Sequence, residues 1–181
     1  KIAETIKSVY PELAAYINNV KPSHFRSENQ WCIDYIKEYK SAKLQDKYTE
    51  YIANYIAEFN ATPATFYKWY YEFEESPSVL AEALNSPVYC PDRIYWIDGL
   101  GAEFLSYILY LVDQEKSNLN VVRSQITRSV LPSSTDHNRF EGDIVRKFGA
   151  LDELGHDSHG YKYLVTLQEE LKIIKSIIHE I

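Results

Sequence analysis

The most constraining feature of the sequence is residues 93–101, in which an apolar run of strand length, residues 93–98, ends in an acid and is followed by a glycine-containing turn. It reads Arg-Ile-Tyr-Trp-Ile-Asp-Gly-Leu-Gly, and a helical pattern of apolar residues follows it. A continuous apolar run of strand length is typical of a buried strand in a parallel sheet. Parallel strands are joined by crossover connections, usually helices. The segment therefore predicts a βα unit with Asp98 at the carboxyl end of its strand.

The rest of the chain predicts an α/β protein with two regions. Residues 1–88 have apolar residues at helical spacing, which predicts a helical region, and one long helix is expected from Leu44 to Phe59. Residues 89–181 are expected to form an α/β domain, the first part of a parallel sheet with flanking helices. Its second strand is predicted at residues 118–126, followed by a helix from about Asp136. A polar connector over residues 151–160 and an amphipathic C-terminal helix complete the domain.

Composition excludes several classes of protein. The net charge is −7, which argues against broad electrostatic capture of nucleic acid, although a local basic cleft is compatible with it. No apolar run approaches the roughly 18 residues of a membrane span, and two cysteines are too few for a disulfide framework. A cytoplasmic protein without a membrane partner is therefore expected. The chain begins at Lys1 and has no methionine, so we expect a piece of a longer protein.

Asp98 has two interpretations. Ligands of open α/β sheets bind beyond the carboxyl ends of the strands, where Gly99 and Gly101 allow close backbone approach. A carboxylate there supplies a hard oxygen ligand for a divalent cation. Aspartate is equally a favoured N-cap, so Asp98 is also compatible with simply capping the next helix. The turn is not a dinucleotide-binding fingerprint, and no nucleophile elbow occurs in the chain.

The segment Leu-Pro-Ser-Ser-Thr-Asp-His-Asn, residues 131–138, also has two interpretations. If a helix begins near Thr135, its hydroxyl lies at an N-terminus that favours anions, and the Asn138 amide faces the same side. A threonine hydroxyl needs a metal or a base to become a nucleophile, and Asp98 is a candidate to hold that metal. Serine, threonine, aspartate and asparagine are also the residues of an ordinary capped turn.

Together the two motifs resemble the alkaline phosphatase superfamily, and more closely the PglZ domain of bacterial phage-exclusion (BREX-type) defence systems. The resemblance covers residues 93–181. It implies that Asp98 is a metal ligand, that Thr135 is the metal-bound nucleophile and that Asn138 binds phosphate. It further implies two zinc ions, other defence proteins as partners and a phosphate-ester substrate, with a phosphomonoester, a phosphodiester and a nucleic acid as the open alternatives. The expected function is a metal-dependent phosphatase or phosphodiesterase; the alternatives are a non-catalytic scaffold of the defence complex and a plain helical interaction module.

One departure from the superfamily limits this expectation. The family completes its metal site with aspartate and histidine ligands far downstream of the nucleophile, and those ligands have no counterpart here. The chain by itself is therefore expected to bind metal weakly and to be inactive. The secondary metal-ligand candidates are the closely spaced histidines His156 and His159, and His137 beside Thr135 is a candidate substrate contact. Ser133 and Ser134 are the alternative nucleophiles. A group of basic residues is expected around Thr135: Arg123, Arg128, Arg139, Arg146 and Lys147.

Overall fold

The structure is a computed structural model that describes residues 2–18, 30–45, 47–61, 70–88, 90–115, 119–132, 134–157 and 163–181. Helices surround a small parallel sheet, so the chain is broadly α/β, as predicted. In chain order the elements are α1 (Ile2–Val9), α2 (Pro11–Ile17), α3 (Gln30–Leu44), α4 (Tyr48–Asn60), α5 (Ser76–Leu84), β1 (Ile94–Ile97), a 3₁₀ turn (Ala102–Phe104), α6 (Leu105–Gln114), α7 (Thr135–Asn138), β2 (Val145–Phe148), α8 (Ala150–Asp157) and α9 (Tyr163–Glu180).

The sheet consists of β1 and β2, paired in parallel with Ile94 opposite Val145 and Ile97 opposite Phe148. Hydrogen bonds continue the ladder past the strand, because the Asp98 amide donates to the Phe148 carbonyl at 2.9 Å. Strand β1 is therefore the strand that the sequence predicts. Its carboxyl end lies beside the carboxyl end of β2, which is the edge where parallel sheets bind ligands.

The second strand is not where the sequence predicts it. The described residues 119–126 form no strand, and Val122 is 70% exposed. Residues 145–148 pair with β1 instead, with the Tyr95 and Phe148 ring centroids 6.2 Å apart and the Lys147 ammonium 4.9 Å from the Trp96 ring centroid. Cross-strand pairs of this kind stabilise a sheet and are invisible to a local apolar pattern. The prediction at residues 118–126 was therefore wrong because it used local hydrophobicity alone.

Other boundaries divide into confirmed and corrected predictions. The C-terminal amphipathic helix and the helix after β1 are confirmed as α9 and α6, and α7 begins at Thr135. The long helix expected from Leu44 is interrupted, because α3 ends at Leu44 and α4 begins at Tyr48. The expected polar connector contains a helix, α8, whose Leu151 is buried in the core. The sequence also predicts a helix that begins near Thr62, with Pro63 in its first turn, and this start lies outside the described residues.

One hydrophobic core joins helices from both sides of residue 88. The rings of Tyr16 in α2 and Phe104 are 5.5 Å apart, and the Tyr107 hydroxyl in α6 donates to the Leu171 carbonyl of α9 at 3.1 Å. The buried members of this core are Ala15, Tyr16, Phe104, Tyr107, Leu111, Leu151, Leu167, Leu171, Ile174 and Ile178. The division of the chain near residue 88 stays a prediction, since a shared core is compatible with one domain or with two closely packed units. Within the described residues, no helix has both the length and the apolar character needed to cross a bilayer.

Two lysines of α3 are buried beside this core. Lys43 forms an ion pair with Glu170 of α9, and its ammonium lies 5.5 Å from the Phe104 ring centroid. Lys40 is 3% exposed and donates to the Asn18 carbonyl at 2.8 Å. Burial lowers the pKa of Lys40 to about 8, against a smaller raising effect of the Glu103 carboxyl. The Lys40 side chain therefore makes folding sensitive to pH in the alkaline range.

We expect the free energy of unfolding to rise with pH through Lys40 between about pH 8 and pH 10. The unfolded chain, with an ordinary lysine pKa of about 10.4, binds this proton more tightly than the folded chain does. Unfolding therefore takes up a proton in this window, and raising the pH opposes it. Urea unfolding of the wild type and of Lys40→Met at about pH 7.5, 8.5 and 9.5 tests this. The free energy of unfolding of the wild type should rise relative to that of Lys40→Met as the pH increases.

The other titrating groups are present in both the wild type and Lys40→Met, so their contributions to the difference in unfolding free energy cancel. Burial raises the pKa of the Cys32 thiol to about 12, and it also raises the pKa values of Tyr16 and Tyr107. These groups reduce stability as the pH rises past their ordinary values, but they do so in both proteins. A difference that stays constant from about pH 7.5 to 9.5 would contradict the prediction for Lys40.

Candidate functional site

Asp98 is held at the end of β1 by the sheet on one side and by a tight turn on the other. Its side chain is buried, with the residue 7% exposed. Gly99 has a φ of +78°, and a Cβ built on it would lie 3.1 Å from the backbone N and Cα of Asp152 in α8. Both facts require glycine. The chain thus turns immediately after Asp98 and passes close to the first turn of α8.

The structure decides between the two interpretations of Asp98 in one respect. The 3₁₀ turn begins after Gly101 and α6 begins after Phe104, and neither has a side-chain cap. Asp98 is therefore not the N-cap of the helix that follows it. Its carboxylate is instead directed to two other groups, the Thr135 hydroxyl and the Lys147 ammonium.

Thr135 is the first residue of the single-turn helix α7, and it lies beside Asp98, as the sequence predicts. The Thr135 hydroxyl donates to Asp98 Oδ1 at 3.5 Å, a long and therefore weak hydrogen bond. Ser134 occupies the N-cap position without a side-chain bond to the backbone. The Ser134 hydroxyl lies 2.9 Å from His137 Nδ1, while the Thr135 hydroxyl is the one at the carboxylate. The acid and the hydroxyl, 37 residues apart in sequence, form one site.

Asn138 builds the loop that leads into α7. Its Oδ1 accepts a hydrogen bond from the Val130 amide at 2.7 Å, and its Nδ2 donates to the carbonyls of Val130, Pro132 and Ser134 at 3.0 to 3.1 Å. An amide nitrogen has two hydrogens, and three acceptors already share them. To bind a phosphate oxygen, Nδ2 would have to give up at least one of these bonds. The phosphate-binding role of Asn138 therefore stays a prediction, and its contacts show a loop-organising residue.

Lys147 was predicted only as one of five basic residues around Thr135, and its pairing with Asp98 was not predicted. Its ammonium lies 2.7 Å from Asp98 Oδ2 and 4.9 Å from the Trp96 ring centroid. Asp98 Oδ2 is buried, and no hydrogen bond to it meets normal geometry among the described residues. We interpret the Lys147 contact as an ion pair without a well-directed hydrogen bond. Lys147 lies opposite Trp96 in the sheet, and Trp96 is two residues before Asp98. This pairing could have identified Lys147, but it is known only once β2 is located.

The remaining sequence candidates whose side chains the structure describes contact other groups and not Asp98. Four of the five basic residues have partners elsewhere: Arg123 contacts Gln125, Arg128 pairs with Glu75, Arg139 pairs with Glu141 and Arg146 pairs with Glu180. The expected group of positive charges is thus reduced to Lys147 at this site. Ser133 and His159 lie outside the described residues, as does the side chain of His156.

A cavity of about 560 Å³ borders the loops that carry Asp98 and Thr135. Gly101 and Glu103 line it from the first loop, and Leu131 lines it from the second. Aromatic residues from the helical region form the opposite wall, and Arg128 lies over the Tyr70 ring at 4.3 Å from its centroid. Burial raises the pKa of the Glu103 carboxyl above its ordinary value. The cavity therefore offers a largely apolar space next to the candidate site.

The site fits one edge of a metal centre but does not make a complete one. Asp98 Oδ2 is a buried carboxylate oxygen without a hydrogen bond, which is the type of atom that a hard cation would take up. Across the described residues, no three histidine, cysteine, aspartate or glutamate side chains gather as a metal site would need. A catalytic zinc ion usually has about three protein ligands. Asp98 and Thr135 alone therefore do not hold two zinc ions.

Comparisons with known proteins identify no relative. No protein-family model matches the chain, and neither a curated protein nor a solved structure is significantly similar to it. The geometry at Asp98, Thr135 and Lys147 is accordingly the main basis for a functional proposal.

Proposed function

We propose that the chain carries the nucleophile-bearing part of a metal-dependent phosphoesterase of PglZ type, within the alkaline phosphatase superfamily. The single observation that carries the proposal is the meeting of the Thr135 hydroxyl with the Asp98 carboxylate at the carboxyl end of β1. In this proposal the protein acts on a phosphate ester in the cytoplasm as part of a phage-defence system. Two zinc ions belong to the complete site, with ligands additional to those described here.

In the proposed reaction Thr135 Oγ1 loses its proton to solvent and attacks phosphorus, and the ester oxygen leaves and takes up a proton. Water then hydrolyses the phosphothreonine, which releases the phosphate product and restores the hydroxyl. A divalent cation at Asp98 would supply the positive charge that stabilises the deprotonated hydroxyl. Asp98 would hold that cation, and Asn138 keeps the loop before α7 in place through its bonds to Val130 and Pro132. The neighbouring cavity gives room for the organic part of the ester.

The proposal is tested by zinc-dependent hydrolysis of 4-nitrophenyl phosphate and bis(4-nitrophenyl) phosphate by the full-length protein, because this chain by itself is expected to be inactive. We expect Thr135→Ala to lower kcat by about 100-fold or more, because removal of a nucleophile leaves only binding and electrostatic contributions. Ser134→Ala is the matched control, since Ser134 is the adjacent hydroxyl but contacts His137, and its activity should stay close to the wild-type value. Unchanged activity in Thr135→Ala, or a selective loss in Ser134→Ala, would remove Thr135 as the nucleophile.

A non-catalytic scaffold is the second candidate function. It is supported by the ion pair between Lys147 and Asp98, which already neutralises the carboxylate, and by the incomplete ligand set among the described residues. A scaffold should show no zinc-dependent hydrolysis of either ester that Thr135→Ala removes. Binding of other defence proteins that is unaffected by Thr135→Ala and Asp98→Asn would then favour this candidate.

A further inference from the structure

The ion pair between Lys147 and Asp98 has consequences for metal binding. Asp98 presents two oxygens: Oδ1 faces the Thr135 hydroxyl at 3.5 Å, and Oδ2 faces the Lys147 ammonium at 2.7 Å. A cation shared by Asp98 and Thr135 would have to bind this carboxylate. The Lys147 side chain is half-exposed, so it has solvent into which it could move.

We propose that Lys147 is a competitor for metal at Asp98, so that a divalent cation binds only by displacing the lysine ammonium from the carboxylate. The proposal rests on the proposed function, because it assigns metal binding to Asp98. It assigns Lys147 a regulatory position at the site and no contact with the reacting atoms. The consequence is that the metal affinity of Asp98 is set partly by a residue that is not a ligand.

The physical basis is the repulsion between like charges at short range. With the ammonium in its observed place, a divalent cation on Asp98 would lie within a few ångströms of a positive charge that cannot be a ligand. The contact with the Trp96 ring helps to hold the ammonium there, since a cation over an aromatic face is stabilised. Because Lys147 is partly solvated, water and salt weaken this repulsion, and the effect on affinity is moderate.

Zinc affinity measured by competition with a chromophoric chelator tests the proposal without any turnover. Asp98→Asn defines the binding that depends on the carboxylate. We expect Lys147→Gln to tighten that binding by about three- to tenfold, and Lys147→Arg, which keeps the charge, to stay within about twofold of the wild type. The difference in zinc affinity between the wild type and Lys147→Gln should decrease as the salt concentration rises.

Arg146→Gln is the matched control for charge. It removes one positive charge from the neighbouring position of β2, but Arg146 is paired with Glu180 and is not paired with Asp98. Its zinc affinity should equal that of the wild type. Equal tightening in Arg146→Gln and Lys147→Gln would show a general charge effect and overturn the proposal.

The fluorescence of Trp96 gives a second, local readout. Zinc should change Trp96 emission in the wild type by moving the ammonium away from the ring, and this change should be reduced in Lys147→Gln; Trp96→Phe provides the background.

Asp98-dependent binding with no tightening in Lys147→Gln overturns the role of Lys147 and leaves the phosphoesterase proposal intact. Identical binding in the wild type and Asp98→Asn overturns both. Inactivity of the wild type alongside tightened binding in Lys147→Gln removes the proposed function alone.

Discussion

Replacing Phe104 by alanine is expected to lower the free energy of unfolding by about 3 to 5 kcal/mol, as for other fully buried aromatic residues. Phe104 is 1% exposed, and its ring lies 5.5 Å from the Tyr16 ring. Its face also supports the buried ammonium of Lys43 at 5.5 Å from the ring centroid. The substitution would therefore leave a cavity between α2, α3 and α6 and weaken the packing beneath a buried ion pair.

Tyr10→Ala is the control for this measurement. It also removes an aromatic ring, but Tyr10 is 61% exposed, so we expect a change within about 0.5 kcal/mol. Urea unfolding followed by far-UV circular dichroism gives both values. If the two variants lose similar amounts of stability, Phe104 does not occupy the centre of the core.

Gly99→Ala is expected to cost about 2 to 3 kcal/mol and to disturb Asp98 at the same time. Part of the cost comes from the φ of +78°, which an alanine rarely adopts. The rest comes from the new Cβ, which would lie 3.1 Å from the backbone N and Cα of Asp152. Backbone atoms cannot move aside as the end of a flexible side chain can. The turn after β1 or the start of α8 must then shift, so zinc binding that depends on Asp98 should weaken together with stability.

Gly155→Ala provides a matched control with the opposite sign. Gly155 lies in α8, and no atom lies within 4 Å of the Cβ that alanine would add. Because alanine is the better helix former, we expect this substitution to raise the free energy of unfolding by up to about 1 kcal/mol. A Gly99→Ala protein as stable as the wild type would contradict the observed turn geometry.

Local patterns predicted those elements whose character is encoded in neighbouring residues. The spacing of apolar residues in α9 and the apolar run of β1 needed no tertiary information. The second strand did, because residues 145–148 have two exposed charged residues between half-buried ends, and only their pairing with β1 stabilises them as a strand. Helix α8 was missed for a related reason: its polar composition conceals Leu151, which packs into the core.

Only part of the candidate site was predictable from local sequence patterns. Asp98 follows an apolar strand and Thr135 begins a helix, as predicted, but the strand expected before Thr135 is not formed by residues 119–126. The prediction that the two side chains meet therefore depended on the superfamily resemblance and not on topology alone. The contacts of Asn138 depend on how residues 130–134 fold back on its amide, which no spacing rule gives. Lys147 could be placed only after the register of β2 was known, because its neighbour Arg146 has the same chemistry and pairs with Glu180.

The shared core bears on how the protein should be divided for expression. A truncated protein starting at residue 89 would lack Tyr16, a fully buried ring that packs on Phe104, together with Ala15 beside it. The surface of α6 that α2 covers would then face solvent as an apolar patch and promote aggregation. Such a fragment is a poor reagent for assigning activity, because its aggregation would be mistaken for an inherent lack of catalysis. Assays of Asp98 and Thr135 should therefore retain the first seventeen residues.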